Sequence, residues 1–324
     1  MSIGALKKDN IKNKIMTECE RIIEQGILPE SFFEEEVRCG FLVTKERKKI
    51  WAVELDLLLQ LDRVCKKHNL SYYFAGGSLL GAIRHGGFIP WDDDADINMK
   101  RNDYEKLLKV ASDFEPPYFL QNPTTDSDYF FSHTRLVNKQ TTCFSRTFAF
   151  QNMAHGISID IFPMDNWLET NEADFNVINN LCVENGTYMR RSNPYLGKEE
   201  RERVNNWSGR NPMEVYNEIQ SIAQQYNNCA TKYMMAIVNT SYSFAKKLRP
   251  VEDYADTKLF VFERFELPVP IGYQRLLEIQ YGNYMKLPPV EKRGIWHNNA
   301  VFDADTPYDD YLIQYKEKLK EEHI

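Results

Sequence analysis

Residues 72–99 read YYFAGGSLLGAIRHGGFIPWDDDADINM. This run decides the fold. It opens on a short apolar stretch, Tyr72-Tyr73-Phe74-Ala75, passes a Gly76-Gly77-Ser78 turn, and ends on an acidic segment in which Asp92, Asp94 and Asp96 alternate with Asp93, Ala95 and Ile97. Alternate side chains of a strand share a face, with α-carbons about 6–7 Å apart, so Asp92, Asp94 and Asp96 are expected to crowd one side. Asp93 then points the other way, into a structural role. Carboxylates this close repel unless a cation neutralises them, and hard oxygen ligands suit Mg²⁺ or Mn²⁺. Asp92 follows Pro90-Trp91, ahead of where the strand is secure, so it stands either among the ligands or just behind them.

The glycine turn supplies the other half. Two glycines let the backbone bend sharply and approach a ligand closely. Ser78 is expected to cap the helical segment Leu79–Ile83. Exposed N–H groups at a helix start bind phosphate. A phosphate cradle followed by a strand with Asp-x-Asp is the layout of the nucleotidyltransferase fold.

The stretch GGSLLGAIRHGGFIPWDDDADINMKRNDYEKLL resembles the LicD-type phosphotransferases, relatives of choline-phosphate transferases and fukutin-related proteins. The resemblance is carried by Gly77 to Ala82, Arg84-His85, Gly87 to Asp94, Asp96 and Asp103-Tyr104. HGISIDIFPMD, His155 to Asp165, adds to it, and YGNYMKLPPVEKR, Tyr281 to Arg293, adds a weaker match. Ser78 stands where Thr is commoner and Ala95 where Ile is common; neither change removes a ligand. The clear part covers residues 65–167 or so.

The resemblance implies a metal site on Asp94 and Asp96, completed by Asp160 as ligand, general base or both. Asp160 lies in Ser158-Ile159-Asp160-Ile161-Phe162, an alternating apolar strand where an unpaired carboxylate would be costly. Gly76, Gly77, Ser78, Arg84, His85 and Arg135 are the expected phosphate- and donor-binding groups. For Arg84 and His85 the plain alternative is charge complementarity at a helix C-terminus. Asp165 is read either as a further site carboxylate or as a turn cap. His155 is expected to be a packed histidine rather than a base, Phe88 and Trp91 to be packing aromatics rather than a choline box, and His297 is read as an acceptor contact.

The remaining sequence bounds the setting. The 324 residues are 43% hydrophobic, enough for one large domain or two small ones. Net charge is −7, against broad nucleic-acid binding. The basic cluster Lys246, Lys247, Arg249 reads as a solvated face. The six cysteines fall in no zinc or CxxC spacing, which fits a reducing cytoplasm. The N-terminus shows no signal-peptide pattern and no apolar run is long enough to span a bilayer, which leaves peripheral contact at the inner membrane face.

The expected architecture is mixed α+β: an N-terminal arm over 1–45, a nucleotidyltransferase-like core over 46–170 with a central mixed sheet flanked by helices, and a mostly helical part over 171–324 acting as lid or acceptor-binding surface. Helices are expected over 10–26, over 44–68 with an apolar face of Trp51, Leu55, Leu58, Leu61 and Cys65, over 103–112 behind an Asn102 cap, and over 271–281. Strands are expected near 72–75, 118–120, 133–138, 142–144 and 157–162, and a strand or hairpin over 260–270. By resemblance, the activity is transfer of phosphocholine or a polyol phosphate from a CDP-linked donor to a sugar hydroxyl of a cell-surface glycan, such as lipopolysaccharide, capsule or teichoic acid, or its lipid-linked precursor, with release of CMP. The alternatives are a nucleotidyltransferase and an Asp-x-Asp glycosyltransferase using sugar nucleotides. The donor head group, the acceptor sugar and the oligomeric state are not legible.

Overall fold

The computed structural model describes residues 16–237, 243–294 and 299–322. The chain enters on α1 (Glu18–Glu24), begun by a capping box in which Thr17 and Glu20 each satisfy the other's backbone N–H. The 10–15 part of the helix expected here lies outside the described residues. A hairpin of β1 (Glu36–Arg38) and β2 (Phe41–Val43) leads to α2 (Lys45–His68). The Thr44 hydroxyl caps α2 and Asn69, in a left-handed conformation at φ 54°, ends it. The expected apolar face is buried, but Ile50, Ala52, Val53, Glu54, Asp56 and Leu57 are buried too. The middle of α2 is covered on every side, which marks a core helix rather than an amphipathic surface one.

Next come β3 (Tyr73–Phe74), α3 (Gly76–Arg84), β4 (Asp96–Lys100) and α4 (Arg101–Lys109). The residue before α4 is Lys100, so Asn102 is not its cap; the helix starts as the strand ends. β5 (Tyr118–Gln121), β6 (Thr134–Asn138) and β7 (Thr142–Ser145) precede β8 (Ile157–Trp167). At eleven residues, β8 is long enough to serve three neighbours. Its first part pairs antiparallel with β6, its middle pairs parallel with β4, and its end pairs antiparallel with a later strand, β9.

After β8 the chain is helical in α5 (Glu172–Arg190), α6 (Lys198–Asn205) and α7 (Pro212–Gln224), as its composition leads one to expect. It then departs from the expected helical lid. β9 (Tyr233–Ala236), α8 (Phe244–Lys247) and β10 (Arg249–Pro250) return it to the sheet, whose order is β10-β9-β8-β4-β3 with β6 also on β8 and β5 on β6. The antiparallel hairpin β11 (Thr257–Phe262) and β12 (Phe265–Pro270), then α9 (Tyr273–Tyr281), close over α3. β13 (Ala300–Asp303) pairs with β7, and α10 (Tyr308–Glu322) packs beside it. The architecture is mixed α+β. Residues beyond 171 therefore build part of the sheet as well as covering it.

The main core joins α2, the sheet and the hairpin β11–β12 around Trp51, Leu55, Phe74, Ile97, Ile159 and Phe262. A second apolar cluster, with Trp167, Phe175, Ile178, Ile219 and Met235, holds α5 and α7 to the end of β8. No described helix is long and apolar enough to cross a membrane.

Candidate active site

The first turn of α3 and the acidic segment meet because β3 and β4 pair. The ladder continues past Phe74: the Ala75 N–H donates to the Asp96 carbonyl at 2.9 Å. The Asp96 N–H donates to Ser78 Oγ at 2.8 Å. Ser78 thus braces Asp96 and does not cap the helix. Ala75 is the N-cap residue and offers no side-chain cap bond, which leaves the opening N–H groups of α3 without a side-chain cap.

The glycines are required by crowding. Gly76 has φ +50°, and a Cβ there would lie 3.1 Å from Asp96 Oδ2; a Cβ at Gly77 would lie 2.6 Å from Asp92 Oδ2. Two carboxylates are therefore pressed against the start of α3.

Residues 92–95 form a loop, and the strand begins only at Asp96. The expected sidedness nonetheless holds. Asp92, Asp94 and Asp96 line one cleft, while Asp93 is buried against Arg47, 3.4 Å from its guanidinium. The loop is fixed from behind, with the Asp92 carbonyl accepting from Arg47 Nη1 at 2.9 Å and from Trp51 Nε1 at 3.2 Å. Asp92, Asp93 and Asp94 each bring an oxygen within 4.8 Å of the others.

Asp96, Asp160 and Arg135 stand in register across β4, β8 and β6, so they occupy one row on one face of the sheet. Arg135 Nε lies 3.0 Å from Asp160 Oδ1, and His133 Nε2 lies 3.2 Å from Oδ2. Burial raises the Asp160 pKa, but Arg135 and His133 outweigh it and hold the carboxyl well below its usual range. Its neighbour Asp96 goes the other way: burial, then the charges of Asp94, Asp160 and Asp92, push it well up. Glu54, from the middle of α2, is pushed up by burial and by Asp94 and Asp93, with Arg47 opposing.

His133 and Glu54 are site neighbours the sequence reading missed. His133 is two residues before Arg135 and so shares its face, a signal available from alternation. Glu54 gave none, because a lone acid on a long helix reads as solvated.

The carboxylates of Asp92, Asp94 and Asp96 line a cleft of about 720 Å³. Its lining also includes Trp91, Phe162, Tyr254, Tyr281 and Tyr284 and the cations Lys247, Arg249, Lys286 and Lys292. Lys247 is buried, so the cluster read as a solvated face is in part a cleft wall.

The remaining expected residues divide. Arg84 lines the cleft, its Nη1 donating to the Tyr284 carbonyl at 2.9 Å and its Nε to His85 Nε2 at 2.9 Å. His85 packs edge-on to Trp91, and burial with Arg84 and Arg38 lowers its pKa to about 4, so it is neutral at pH 7. Arg135 is directed at Asp160 and lies over the Phe131 and Tyr129 rings. Asp165, on the opposite face of β8 from Asp160, is fully buried, with Arg101 Nε and Nη2 at 2.8 and 2.5 Å and Asn227 Nδ2 at 2.6 Å. It is a strut for α4 and not a cap. His155 is a packed histidine, Nε2 3.0 Å from the Gln151 carbonyl. Phe88 stacks on Trp51 at 4.8 Å, as expected for packing. His297 lies outside the described residues.

Residues 69–196 match the family model described as LicD/FKTN/FKRP, nucleotidyltransferase domain. The chain is 26% identical over 252 residues to the lipopolysaccharide cholinephosphotransferase LicD of Haemophilus influenzae, covering 76% of this chain and 94% of that protein. It is 35% identical over 72 residues to human ribitol 5-phosphate transferase FKRP, covering 21% of this chain and 14% of that protein. It is also 39% identical over 59 residues to the uncharacterized protein RP689 of Rickettsia prowazekii, covering 18% of this chain and 22% of that protein.

Proposed function

We propose, from the match of residues 69–196 to the LicD/FKTN/FKRP nucleotidyltransferase-domain model, that this protein is a cation-dependent phosphotransferase. It moves a phospho-alcohol, phosphocholine or a polyol phosphate, from a CDP-linked donor to a sugar hydroxyl of a cell-surface glycan or its precursor, and CMP leaves. The relatives' names support the reaction class. The observation that carries the reading here is the contact of the Asp92 and Asp96 carboxylates with the uncapped first turn of α3 at Gly76 and Gly77. Like charges held against a helix start make physical sense as the two sides of a phosphate and cation site.

The donor set fits a hard divalent cation. Every candidate ligand is a carboxylate, and burial followed by the charges of Asp94, Asp160 and Asp92 pushes the Asp96 pKa well up. Asp94 and Asp96 would hold Mg²⁺ or Mn²⁺, with Asp160 beside them in the same row. Bound there, the cation offsets charge on the phosphate groups during transfer.

The protein's own groups do the positioning. The α3 N–H groups hold a phosphate, Ser78 fixes the backbone of Asp96, and Arg47 with Trp51 fixes the loop carrying Asp92 and Asp94. Of the two roles expected for Asp160, cation holding fits its pairing with Arg135 and His133 better than proton abstraction, because a carboxylate with so low a pKa is a weak base. Six free thiols, Cys19 and Cys65 among the buried ones, support a reducing, cytoplasmic setting.

The test is to incubate the protein with Mg²⁺, a panel of CDP-alcohols and candidate oligosaccharides, follow CMP release, and weigh the acceptor by mass spectrometry. A gain equal to a phosphorylated alcohol is expected. A hexose or a nucleotidyl gain overturns the reading.

A further inference from the structure

The cleft has a wall that the acidic run does not supply. The segment 282–293 follows α9 and lines the cleft through Asn283, Tyr284, Lys286, Pro288 and Lys292. Gly282, at φ +66° and ψ −120°, turns the chain off the helix in a conformation that glycine adopts readily and other residues rarely do. The segment then makes short turns of its own. The Tyr284 N–H donates to the Gly282 carbonyl, that of Lys286 to Asn283, that of Lys292 to Pro289 and that of Arg293 to Val290. Local turns shape a segment, but they do not fix it against its neighbours.

Two arginines fix it. Arg84, the last residue of α3, donates from Nη1 to the Tyr284 carbonyl at 2.9 Å. Arg293 donates from Nε to the Pro288 carbonyl and from Nη1 to the Cys39 carbonyl in the turn between β1 and β2, both at 2.8 Å. Its guanidinium carbon lies 5.4 Å from the centre of the Trp91 ring, and Trp91 directly precedes Asp92. These acceptors are carbonyls and a ring face, so the two guanidinium groups join segments of the protein. Lys286 is two residues from Tyr284 and Lys292 is next to Arg293, so both lysines are carried on anchored backbone beside the acidic run. Of the five cations that line the cleft, Arg84, Lys247, Arg249, Lys286 and Lys292, these two lysines are the exposed ones.

Charge gives this wall a task. Asp92, Asp94 and Asp96 bring three carboxylates to the cleft, and a divalent cation offsets only part of their charge. A donor diphosphate adds more negative charge, which favours protein cations placed beside it. We propose that Lys286 and Lys292 bind the phosphates of a nucleoside diphosphate donor, and that Arg293, together with Arg84, is a positioning residue that holds the two lysines at the acidic run. The proposal rests on the donor reading above and names the residues that would serve it.

The test is a binding measurement and needs no turnover. The whole protein, with Mg²⁺ present, is titrated calorimetrically with CDP and with inorganic pyrophosphate. Both are expected to bind. The double variant Lys286→Gln/Lys292→Gln should weaken both about tenfold, which is about 1.4 kcal/mol. Arg293→Gln should weaken both by a similar factor and should speed hydrogen exchange within 282–293 and not elsewhere. Arg293→Lys keeps the charge but loses the planar fork, so it should restore only part of the affinity. Adding Arg293→Gln to the lysine pair should weaken binding little further, because Arg293 acts through those lysines.

Equal CDP binding in the lysine pair and the wild type overturns the proposal, as does a wild type that binds no CDP. So does a loss confined to CDP with pyrophosphate unaffected, which would put the lysines against the nucleoside. Additive losses from Arg293→Gln and the lysine pair, or exchange that quickens throughout the chain, overturn the positioning role of Arg293. The lysines are exposed, so their variant keeps the test sound if Arg293→Gln fails to fold. Failure of CMP release with this binding pattern preserved would instead count against the transfer reading alone.

Discussion

The acidic and the cationic linings of the cleft are built in opposite ways. The acidic end comes from one continuous run, Gly76 to Asp96, folded back on itself by the β3–β4 pairing. The cationic lining is gathered from α8, β10 and the segment after α9. In the first, neighbours in sequence are neighbours in space, so residue type and spacing carry the chemistry. In the second, each cation sits in an ordinary polar stretch and acquires its meaning only when the sheet brings β10 within reach of β8. A site assembled locally announces itself, and one assembled by topology does not.

That contrast is most exposed at the aspartates. Asp94→Asn and Asp96→Asn each remove a charge and keep the shape, so each should lower turnover about a thousandfold, the equivalent of several kcal/mol of lost charge stabilisation. Circular dichroism and melting should remain those of a folded protein. If either variant retains more than about a tenth of wild-type turnover, the acidic end is not the chemical end.

A second comparison lies within one strand. Asp160 and Asp165 are both carboxylates of β8 and both bind arginine, but on opposite faces. Asp165→Asn leaves buried Arg101 with only the exposed Glu105, 3.3 Å from its Nη1, as counter-charge and should destabilise by about 3 kcal/mol, while the folded fraction keeps its turnover. Asp160→Asn should do the reverse, lowering turnover more than stability, because Arg135 retains partial access to water. Denaturant melts paired with activity per folded molecule separate the two. An equal stability loss in both would make Asp160 a second strut.

Gly77→Ala tests whether the close approach itself matters. The added Cβ meets the end of the Asp92 side chain, which can swing aside, so stability should change little. Moving that carboxylate by about 1 Å should still cost up to about a hundredfold in turnover. Gly197→Ala, with nothing within 4 Å of its Cβ and an ordinary φ, is the control for turnover; as the N-cap of α6 it costs a little stability and no activity per folded molecule. An active Gly77→Ala would mean that Asp92 stands outside the site.

Much of the acidic end was legible, though partly through the wrong element. The alternation of Asp92, Asp94 and Asp96 was read as a strand, whereas the first two lie in a loop pinned by Arg47 and Trp51. The loop is nearly extended in its sidedness, so the faces came out right. Ser78 was misplaced because a hydroxyl near a helix start has two possible uses, and the pairing of β3 with β4 put the Asp96 N–H within its reach. β9 was missed for a different reason: four residues, Tyr233 to Ala236, are too short to show a period, and the strand exists because the end of β8 needs a partner. Lys247 was read as solvated because burial of a charge leaves no trace in local composition.

The smallest effect concerns a residue in the family-like run that does no chemistry. His155 sits in the HGISIDIFPMD stretch alongside Asp160, yet it is buried against Phe144 and Tyr308. Burial lowers its pKa from 6.5 to about 4; the bond to the Gln151 carbonyl and the charge of Asp126 oppose this, while Arg135 and Lys316 add to it. Between those values the unfolded chain binds the proton and the folded one does not. The neutral state therefore contributes its full stability above about pH 6.5, and that stability is lost as pH falls toward 4. From pH 7 to pH 5 the loss from this group should be about 1–2 kcal/mol. In His155→Gln that part of the acid-induced fall in melting temperature should vanish, with turnover at pH 7 reduced only in proportion to any loss of folded protein. A variant that melts normally but turns over slowly would move His155 from the packing to the chemistry, and would show that the acidic end extends further along the motif than its geometry implies.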